Sequence, residues 1–289
     1  MTMGSTVPPG PRNRSVHRVT WTVIGSSRSV THPSYSVAGP PARGGGWYDA
    51  TVRRWVIADA HVGQEPGDAG RMAKLVRSAP EHGVGEIVYL GDAFQYLVGM
   101  EKLWIEAVRT VLPAWDAVRR RGVRIVLVEG NRDFFLDHPD LAAHRDEAGL
   151  VYEFTAGGRR FRAVHGDRVN QRDLAYRFWR RLSKSPLSRL GMAALPRGLA
   201  RRIVAGMEAR LATTNRRFRY EKPVEALRRE ARAAWAEGGD VLLWGHFHTA
   251  WETSEGSRRA LVVPAWLRTG TVLTVEPDGA FRLGIAGGP

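Results

Sequence analysis

Five apolar segments of strand length each end in a short polar signature, and this arrangement constrains the fold more than any other feature of the chain. The segments are centred near residues 56, 88, 126, 163 and 243. The signatures that follow them are Asp59-Ala60-His61, Gly91-Asp92, Gly130-Asn131-Arg132-Asp133, His165-Gly166-Asp167 and Gly245-His246-Phe247-His248. In open sheets, ligands bind beyond the carboxyl ends of the strands. We therefore expect the five signatures to meet at one site.

The spacing of these segments predicts an α/β layered fold. Helical segments at about 68–78 and 102–120 alternate with the first three strands, which is typical of such folds. A longer and mostly helical insertion at about 173–236 interrupts the alternation, with apolar residues at three- and four-residue steps. Residues 1–50 are rich in Ser, Pro, Gly and Arg, so we interpret them as a flexible tail that precedes a domain over 51–289.

Composition limits the chemistry that this chain can perform. The 289 residues include no cysteine, which excludes disulfides, thiolate metal sites and cysteine nucleophiles. The formal net charge of +14 favours an anionic partner, although an arginine-rich codon usage accounts for it equally well. No apolar run reaches the roughly 20 residues of a membrane span, and the apolar stretch near the N-terminal arginines is too short for a signal-peptide core. We expect a cytoplasmic protein.

The signatures contain the ligands of two metal ions. In an extended segment, side chains two residues apart lie on the same side, so each Asp-X-His or His-X-His pair can reach one ion. A carboxylate can give one oxygen to each of two ions, which makes Asp92 the natural bridge. Oxygen and nitrogen ligands suit hard or borderline divalent cations. The predicted ligands are Asp59, His61, Asp92 and His248 for one ion, and Asp92, Asn131, His165 and His246 for the other.

Such a pair of ions indicates a phosphoester hydrolase. Two cations about 3.5 to 4 Å apart activate water for in-line attack on phosphorus. Arg132, beside the ligand Asn131, has a guanidinium fork whose geometry suits a phosphate. The alternative for Arg132 is a structural ion pair with a neighbour such as Asp133. We take Asp92 and Arg132 as the candidate catalytic residues.

In this order, the signatures resemble those of the calcineurin-like metallophosphoesterase superfamily over about residues 54–275. The resemblance implies a layered β-sandwich core flanked by helices, with the helical insertion as a cap. The chain further resembles the UDP-2,3-diacylglucosamine pyrophosphohydrolase branch, which acts in lipid A synthesis. The segments that carry this second resemblance are Gly130-Asn131-Arg132-Asp133-Phe134, Asp173-Leu174-Ala175-Tyr176, Ser185-Pro186-Leu187 and Leu195-Pro196.

This branch cleaves its nucleotide pyrophosphate to UMP and 2,3-diacylglucosamine 1-phosphate, typically with Mn²⁺. The resemblance implies that Arg132 contacts the pyrophosphate and that Asp173 and Tyr176 contact the glucosamine or phosphate end. It also implies that the cap holds the acyl chains, which fits an apolar stripe that includes Leu195, Leu199 and Ile203. Packing within the core is the alternative explanation of this stripe.

Other functions compete with this interpretation. A phosphoesterase of the same fold could act on a protein, a nucleotide or a soluble small molecule. A non-catalytic nucleic-acid-binding protein would account for the net charge, but it would not need seven metal ligands, so we do not expect nucleic acid as a partner. Twelve basic residues and one acidic residue between 177 and 219 suit peripheral binding to the anionic inner face of the membrane, or equally an ordinary solvated helix face. The oligomeric state stays open.

Overall fold

The computed structural model describes residues 51–169, 174–214 and 222–285, so the predicted tail and Asp173 lie outside the described residues. The strands in these ranges are β1 (Arg53–Ile57), β2 (Val84–Leu90), β3 (Leu97–Val98), β4 (Arg124–Val128), β5 (Asp133–Phe134), β6 (Glu147–Gly149), β7 (Val151–Ala156), β8 (Arg159–Val164), β9 (Val241–Trp244), β10 (Trp251–Glu255), β11 (Arg258–Val262), β12 (Thr271–Val275) and β13 (Phe281–Ile285). The α-helices are α1 (Asp68–Ser78), α2 (Glu106–Arg119), α3 (Pro139–Ala142), α4 (Leu174–Ser183), α5 (Pro186–Ala194), α6 (Arg197–Thr214), α7 (Val224–Ala236) and α8 (Trp266–Thr269).

The strands form two large sheets and one small one. The first has the order β13-β12-β1-β2-β4-β6, in which β1, β2, β4 and β6 run parallel. The second has the order β10-β11-β9-β8-β7, in which β8, β9 and β11 run parallel. Strands β3 and β5 pair separately. The five predicted strands are confirmed as β1, β2, β4, β8 and β9, but they are divided between two sheets.

Apolar side chains on both faces of the first sheet make it the centre of a layered core. In β1, Trp55 and Ile57 pack in the cluster that includes α1 and α2, whereas Val56 packs in the cluster that includes the second sheet. Parallel strands buried on both faces have continuous apolar sequences, as these do. Helix α7 packs Leu227 and Trp235 in a third cluster with the outer face of the second sheet. The predicted α/β layered fold is confirmed.

Helices α4, α5 and α6 lie between β8 and β9 in the sequence, and α6 packs beside the small sheet. Ala200 and Val204 of α6 share an apolar cluster with Val98 and Phe134. The Nζ of Lys102 donates hydrogen bonds to the carbonyl of Leu195, at 2.9 Å, and to that of Ala193. None of the helices in the described ranges has the apolar length that crossing a bilayer requires.

Candidate metal centre

The five signatures meet where the carboxyl ends of β1, β2 and β4 approach those of β8 and β9. Two groups of acidic and histidine side chains each have ligand atoms within 4.8 Å of one another. The first group is Asp59, His61 and His248, and the second is Asp59, Asp92 and His165. Strand ends of both sheets contribute ligands. The geometry of the site therefore depends on the packing of the two sheets as well as on each signature.

The first group surrounds a point between β1 and the loop after β9. Nε2 of His248 lies 3.5 Å from Oδ1 of Asp59, and Nε2 of His61 lies 3.9 Å from the same oxygen. Nε2 of His61 also lies 3.9 Å from Oδ2 of Asp92. These are the four residues that the sequence assigns to one ion.

The second group faces the other oxygen of Asp92. Nε2 of His165 lies 3.7 Å from Oδ1 of Asp92 and 3.0 Å from Oδ1 of Asn131. Nδ1 of His246 lies 3.1 Å from the same amide oxygen. The two carboxylate oxygens of Asp92 therefore face different groups, as a bridging ligand requires.

The donor set fits two divalent cations in chemistry and in spacing. All seven residues offer oxygen or nitrogen, and Asp59, His61, Asp92 and His165 are each at most 2% exposed. The atoms within each group lie 3.0 to 3.9 Å apart. Ligand atoms about 2.0 to 2.2 Å from a common ion have separations of this order. Burying two carboxylates at this distance from imidazoles is otherwise costly.

The backbone at this site adopts a conformation that ordinary residues avoid. Positive φ angles occur at five of the seven predicted ligands, namely Asp59 (46°), His61 (44°), Asp92 (52°), His246 (65°) and His248 (58°). Placing a residue other than glycine in the left-handed backbone conformation costs about 1 to 2 kcal/mol of conformational free energy. Such strain clusters at functional sites, where the surrounding fold imposes it. It is a signal of the site that the one-dimensional sequence does not carry.

Hydrogen bonds that involve the backbone orient the ligands. The carbonyl of Leu90 lies 2.9 Å from Nδ1 of His165, and because a carbonyl only accepts, this nitrogen carries the hydrogen and leaves Nε2 as the ligand atom. The amide of His246 donates to Oδ2 of Asp59 at 2.6 Å, which ties the first signature to the last.

The carboxylate of Asp133 joins two signature loops. Its Oδ2 accepts hydrogen bonds from the amides of Asp92, at 2.9 Å, and Gly130, at 2.8 Å. Its role is therefore to shape the loops, and it was not among the predicted site residues. Burial and the charge of Asp92 raise the pKa of Asp133 to about 7.

Glycines allow the two loops to approach each other closely. A Cβ at Gly91 would collide with the ring of His165, and a Cβ at Gly130 would collide with the carboxylate of Asp92. Gly91 also has a φ of 80°, which favours glycine. The glycines that begin the second and third signatures are thus needed for the ligands to converge.

The charges of the two groups oppose the effect of burial. Burial by itself would raise the pKa of Asp92, but His165, His61 and Arg132 hold it well below its usual range. Burial would lower the pKa of His165, whereas the carboxylates of Asp92 and Asp59 raise it to about 9. Opposite charges thus stabilise the ionised forms here.

Arg132 lies between the metal ligands and an apolar cavity. Its side chain is 1% exposed, with Nε 3.8 Å from Oδ2 of Asp92 and Nη1 donating to the carbonyl of Gln95 at 3.1 Å. Among the residues that the structure describes, the ion-pair partner of this guanidinium is Asp92, and not Asp133 as in the ion-pair alternative. Arg132 also lines a cavity of about 300 Å³.

Some of the predicted substrate-binding residues line the cavity, and others do not. Leu195 and Ile203 line it, whereas Leu199 is not a lining residue and is 49% exposed. Tyr176 donates a hydrogen bond to Oδ2 of Asp167, the last residue of the His165-Gly166-Asp167 signature. Aromatic residues in or directly next to the strands of the small sheet complete the apolar wall, and the apolar periodicity of the insertion does not predict them. They are Tyr96, Phe134 and Phe135.

Comparison with known proteins finds hydrolases among the relatives of this chain. No family model matches the chain. It is 27% identical over 233 residues to the UDP-2,3-diacylglucosamine hydrolase of Azotobacter vinelandii, covering 78% of this chain and 95% of the relative. It is 26% identical over 239 residues to the enzyme of the same name from Pseudomonas putida, covering 79% and 96%. These relatives confirm the predicted resemblance and the prediction that the chain is a hydrolase.

Among solved structures, the fold is similar to that of a dimetal phosphatase from Danio rerio. The TM-score is 0.44 at 18% sequence identity, covering 78% of this chain and 92% of the phosphatase.

Proposed function

We propose that this chain hydrolyses the pyrophosphate of UDP-2,3-diacylglucosamine, releasing UMP and 2,3-diacylglucosamine 1-phosphate. The reaction would take place at two divalent metal ions held by Asp59, His61, Asp92, Asn131, His165, His246 and His248. The catalytic domain would span residues 51–289, with the helical insertion at about 173–236 as its cap. The relatives named above carry this substrate in their names.

The observation that carries the proposal is the apolar cavity beside the metal ligands. A diacyl substrate needs an apolar space within reach of the reacting phosphorus, whereas a protein or nucleic-acid substrate needs an open and polar groove. Arg132 borders both the cavity and Asp92, so one guanidinium connects the two regions. Each methylene buried in such a cavity contributes about 0.8 kcal/mol to binding.

The metal ligands, Arg132 and the orienting hydrogen bonds would have different roles in the reaction. When bound, the two metal ions supply Lewis acidity and activate water at neutral pH. The guanidinium of Arg132, held in place by the Gln95 carbonyl, would neutralise the pyrophosphate. The bond to the Leu90 carbonyl keeps the imidazole of His165 fixed before substrate arrives, and the bond from the His246 amide to Asp59 fixes the backbone of the last signature. We extend the proposal to Mn²⁺ as the native ion, since the ligands are only oxygen and nitrogen.

Turnover of the substrate tests the proposal directly. Purified protein with Mn²⁺ should release UMP from UDP-2,3-diacylglucosamine dispersed in detergent, and EDTA should abolish the release until Mn²⁺ is restored. Hydrolysis of soluble phosphoesters together with inactivity on the diacyl substrate would favour the alternative, a phosphoesterase with another substrate.

The cavity can be tested separately from the metal ions. Replacing Leu195 and Ile203 together by Asp should reduce hydrolysis of the diacyl substrate at least about 100-fold, because charges would replace apolar contacts to the acyl chains. Hydrolysis of a water-soluble phosphoester should persist, since its reaction needs no acyl contact. The matched control replaces Leu283 and Ile285, which are exposed on β13, by Asp. Equal loss of both activities in the cavity variant would assign the two side chains to packing alone.

We also propose that the cap docks on an anionic membrane surface. Helices α4 and α5 expose large apolar side chains, with Phe178 70% exposed, Leu187 80% and Leu190 66%. Exposed arginines lie nearby in the sequence, including Arg181 and Arg197. This combination suits an interfacial surface. The full chain should sediment with phosphatidylglycerol vesicles and not with phosphatidylcholine vesicles, and replacing Leu187 and Leu190 by Asp should weaken that binding.

A further inference from the structure

One face of helix α4 makes polar contacts with two of the metal-ligand loops. Tyr176 and Arg180 of α4, and Lys184 directly after its last residue, are spaced four residues apart. The amide of Lys184 still donates to the carbonyl of Arg180, so the three side chains lie on the same side. Nε of Arg180 lies 2.9 Å from Oδ2 of Asp167, and its Nη2 lies 2.7 Å from Oε1 of Glu129. One guanidinium therefore connects two carboxylates on different loops.

The same carboxylates receive further bonds from this helix face. Tyr176 donates to Asp167, and Nζ of Lys184 donates to Glu129 at 2.8 Å and to the carbonyl of Gly130 at 2.6 Å. The side chains of Arg180, Lys184 and Asp167 are 16%, 11% and 3% exposed. Charge-assisted bonds shielded from solvent are stronger than surface ion pairs.

Both anchor points adjoin ligands of the same ion. Glu129 and Gly130 directly precede Asn131, and Asp167 follows His165 by two residues. Nε2 of His165 is 3.0 Å from Oδ1 of Asn131, so these two ligands must stay in register for one ion. The contacts between α4 and Glu129, Gly130 and Asp167 thus flank the Asn131, His165 and His246 group, and not the group around His61.

We propose that Arg180 is a positioning residue for the second metal site, so that docking of helix α4 and loading of the ion held by Asn131 and His165 are coupled. This inference rests on the two-metal centre proposed above, but not on the identity of the substrate. Trp179 and Leu182 of the same helix line the apolar cavity. The helix that covers the substrate space therefore also helps to build one metal site.

The shape of the guanidinium explains why a lysine at position 180 would connect the two carboxylates less well. A planar guanidinium can donate to two carboxylates in fixed directions, whereas the lysine ammonium is a point charge on a flexible stem. Groups that orient metal ligands typically change metal affinity 10- to 100-fold when they are removed. We expect an effect of about this size at the second site, and none at the first.

The experiment measures metal binding to the full chain without substrate. Metal-free wild-type protein, Arg180→Gln, Arg180→Lys and the control Arg181→Gln are titrated with Mn²⁺ by calorimetry, and the bound Mn²⁺ is examined by EPR. Arg181 is exposed on the same helix, so its replacement removes the same charge without the contacts. Wild type and control should bind two ions and give the signal of an exchange-coupled pair.

Arg180→Gln should keep the first affinity and weaken the second about 10- to 100-fold, with loss of the coupled signal at stoichiometric Mn²⁺. Arg180→Lys should give a smaller loss. Glu129→Gln removes the partner shared by Arg180 and Lys184, so it should weaken the same site if Arg180→Gln does not fold. Unchanged second-site affinity, equal weakening of both sites, or a lower melting temperature with normal binding would overturn the inference. Failure of wild type to cleave UDP-2,3-diacylglucosamine, with these binding results intact, would refute only the substrate.

Discussion

Charged side chains are buried at both ends of the first sheet. The distances between oppositely charged atoms differ between the two ends. At the amino end, Arg54, Glu86 and Arg124 are neighbours in register on β1, β2 and β4. Glu86 lies 2.7 Å from Nε of Arg54 and 2.6 Å from Nη1 of Arg124, and it accepts a hydrogen bond from Tyr152 at 2.8 Å. We call this group the amino-end cluster.

At the carboxyl end of the same strands, the acidic and histidine atoms lie 3.5 to 3.9 Å apart. The amino-end cluster places opposite charges within hydrogen-bonding distance, so its members satisfy one another. The carboxyl-end groups are spaced for an ion between them, and their backbone is strained. Burial of charge alone therefore does not identify a functional site, whereas the distance between the charged atoms and the backbone strain together do.

The largest expected effect is at the carboxyl end. Asp92→Asn removes the bridging charge but keeps the shape of the side chain and an acceptor for the amide of Arg132. Several kcal/mol of charge stabilisation would be lost, so turnover should fall about 10³-fold or more. Bound Mn²⁺ measured by atomic absorption should fall as well, while the metal-free protein stays folded by circular dichroism. A variant that keeps a tenth of wild-type turnover would contradict the role of Asp92 as the bridge.

The next effect is at the amino end and concerns stability. Glu86→Gln leaves the guanidinium of Arg54, 1% exposed, without its counter-charge, and breaking a buried ion pair costs about 3 to 5 kcal/mol. Urea unfolding should show this loss, while turnover per folded molecule stays at the wild-type value. Glu147→Gln is the control, because Glu147 pairs with Arg124 but is 36% exposed, and it should cost about 1 kcal/mol or less. Loss of turnover without loss of stability in Glu86→Gln would contradict a purely structural role for the amino-end cluster.

The sequence predicts the metal ligands at the carboxyl end but not the amino-end cluster, for a physical reason. Each signature places its ligands within four residues at a strand end, so local spacing suffices to find Asp59 and His61. The cluster of Arg54, Glu86 and Arg124 depends on the register of three strands, which no local pattern encodes. The division into two sheets and the rotation of α6, which turns Ile203 toward the cavity and leaves Leu199 exposed, likewise depend on tertiary packing.

Arg132 is a buried cation at the carboxyl end, where we assign it a role in turnover and not in stability. Arg132→Ala should lower turnover about 10²-fold, the loss typical of a preorganised donor to transition-state charge. Calorimetry should still detect two Mn²⁺ ions, since the guanidinium is not a ligand. Arg132→Lys should recover part of the rate. If Arg132→Ala instead lowers the free energy of unfolding and leaves the turnover of the folded protein intact, Arg132 belongs with the structural ion pairs of the amino end.

The smallest effect concerns a more exposed carboxylate at the amino end. Asp146 accepts hydrogen bonds from the guanidinium of Arg119, at 3.0 Å, and from the amide of Ile125 near the start of β4, at 2.8 Å. Burial opposes them, but these hydrogen bonds lower the pKa of Asp146 below its usual value. A lowered folded-state pKa stabilises the fold above the unfolded value of about 3.9, and this contribution is lost as the pH falls through the folded pKa.

Asp146→Asn should therefore cost stability at pH 7 and progressively less below pH 4. Because solvent screens a partly exposed pair, the cost at pH 7 should be about 0.2 to 1 kcal/mol, measured by urea unfolding as a function of pH. Arg119→Gln should remove most of the same pH dependence, since it supplies two of the bonds. A cost that is the same at pH 3 and pH 7 would show that Asp146 acts through the shape of its turn, because ionisation of the carboxyl would then contribute nothing to the cost.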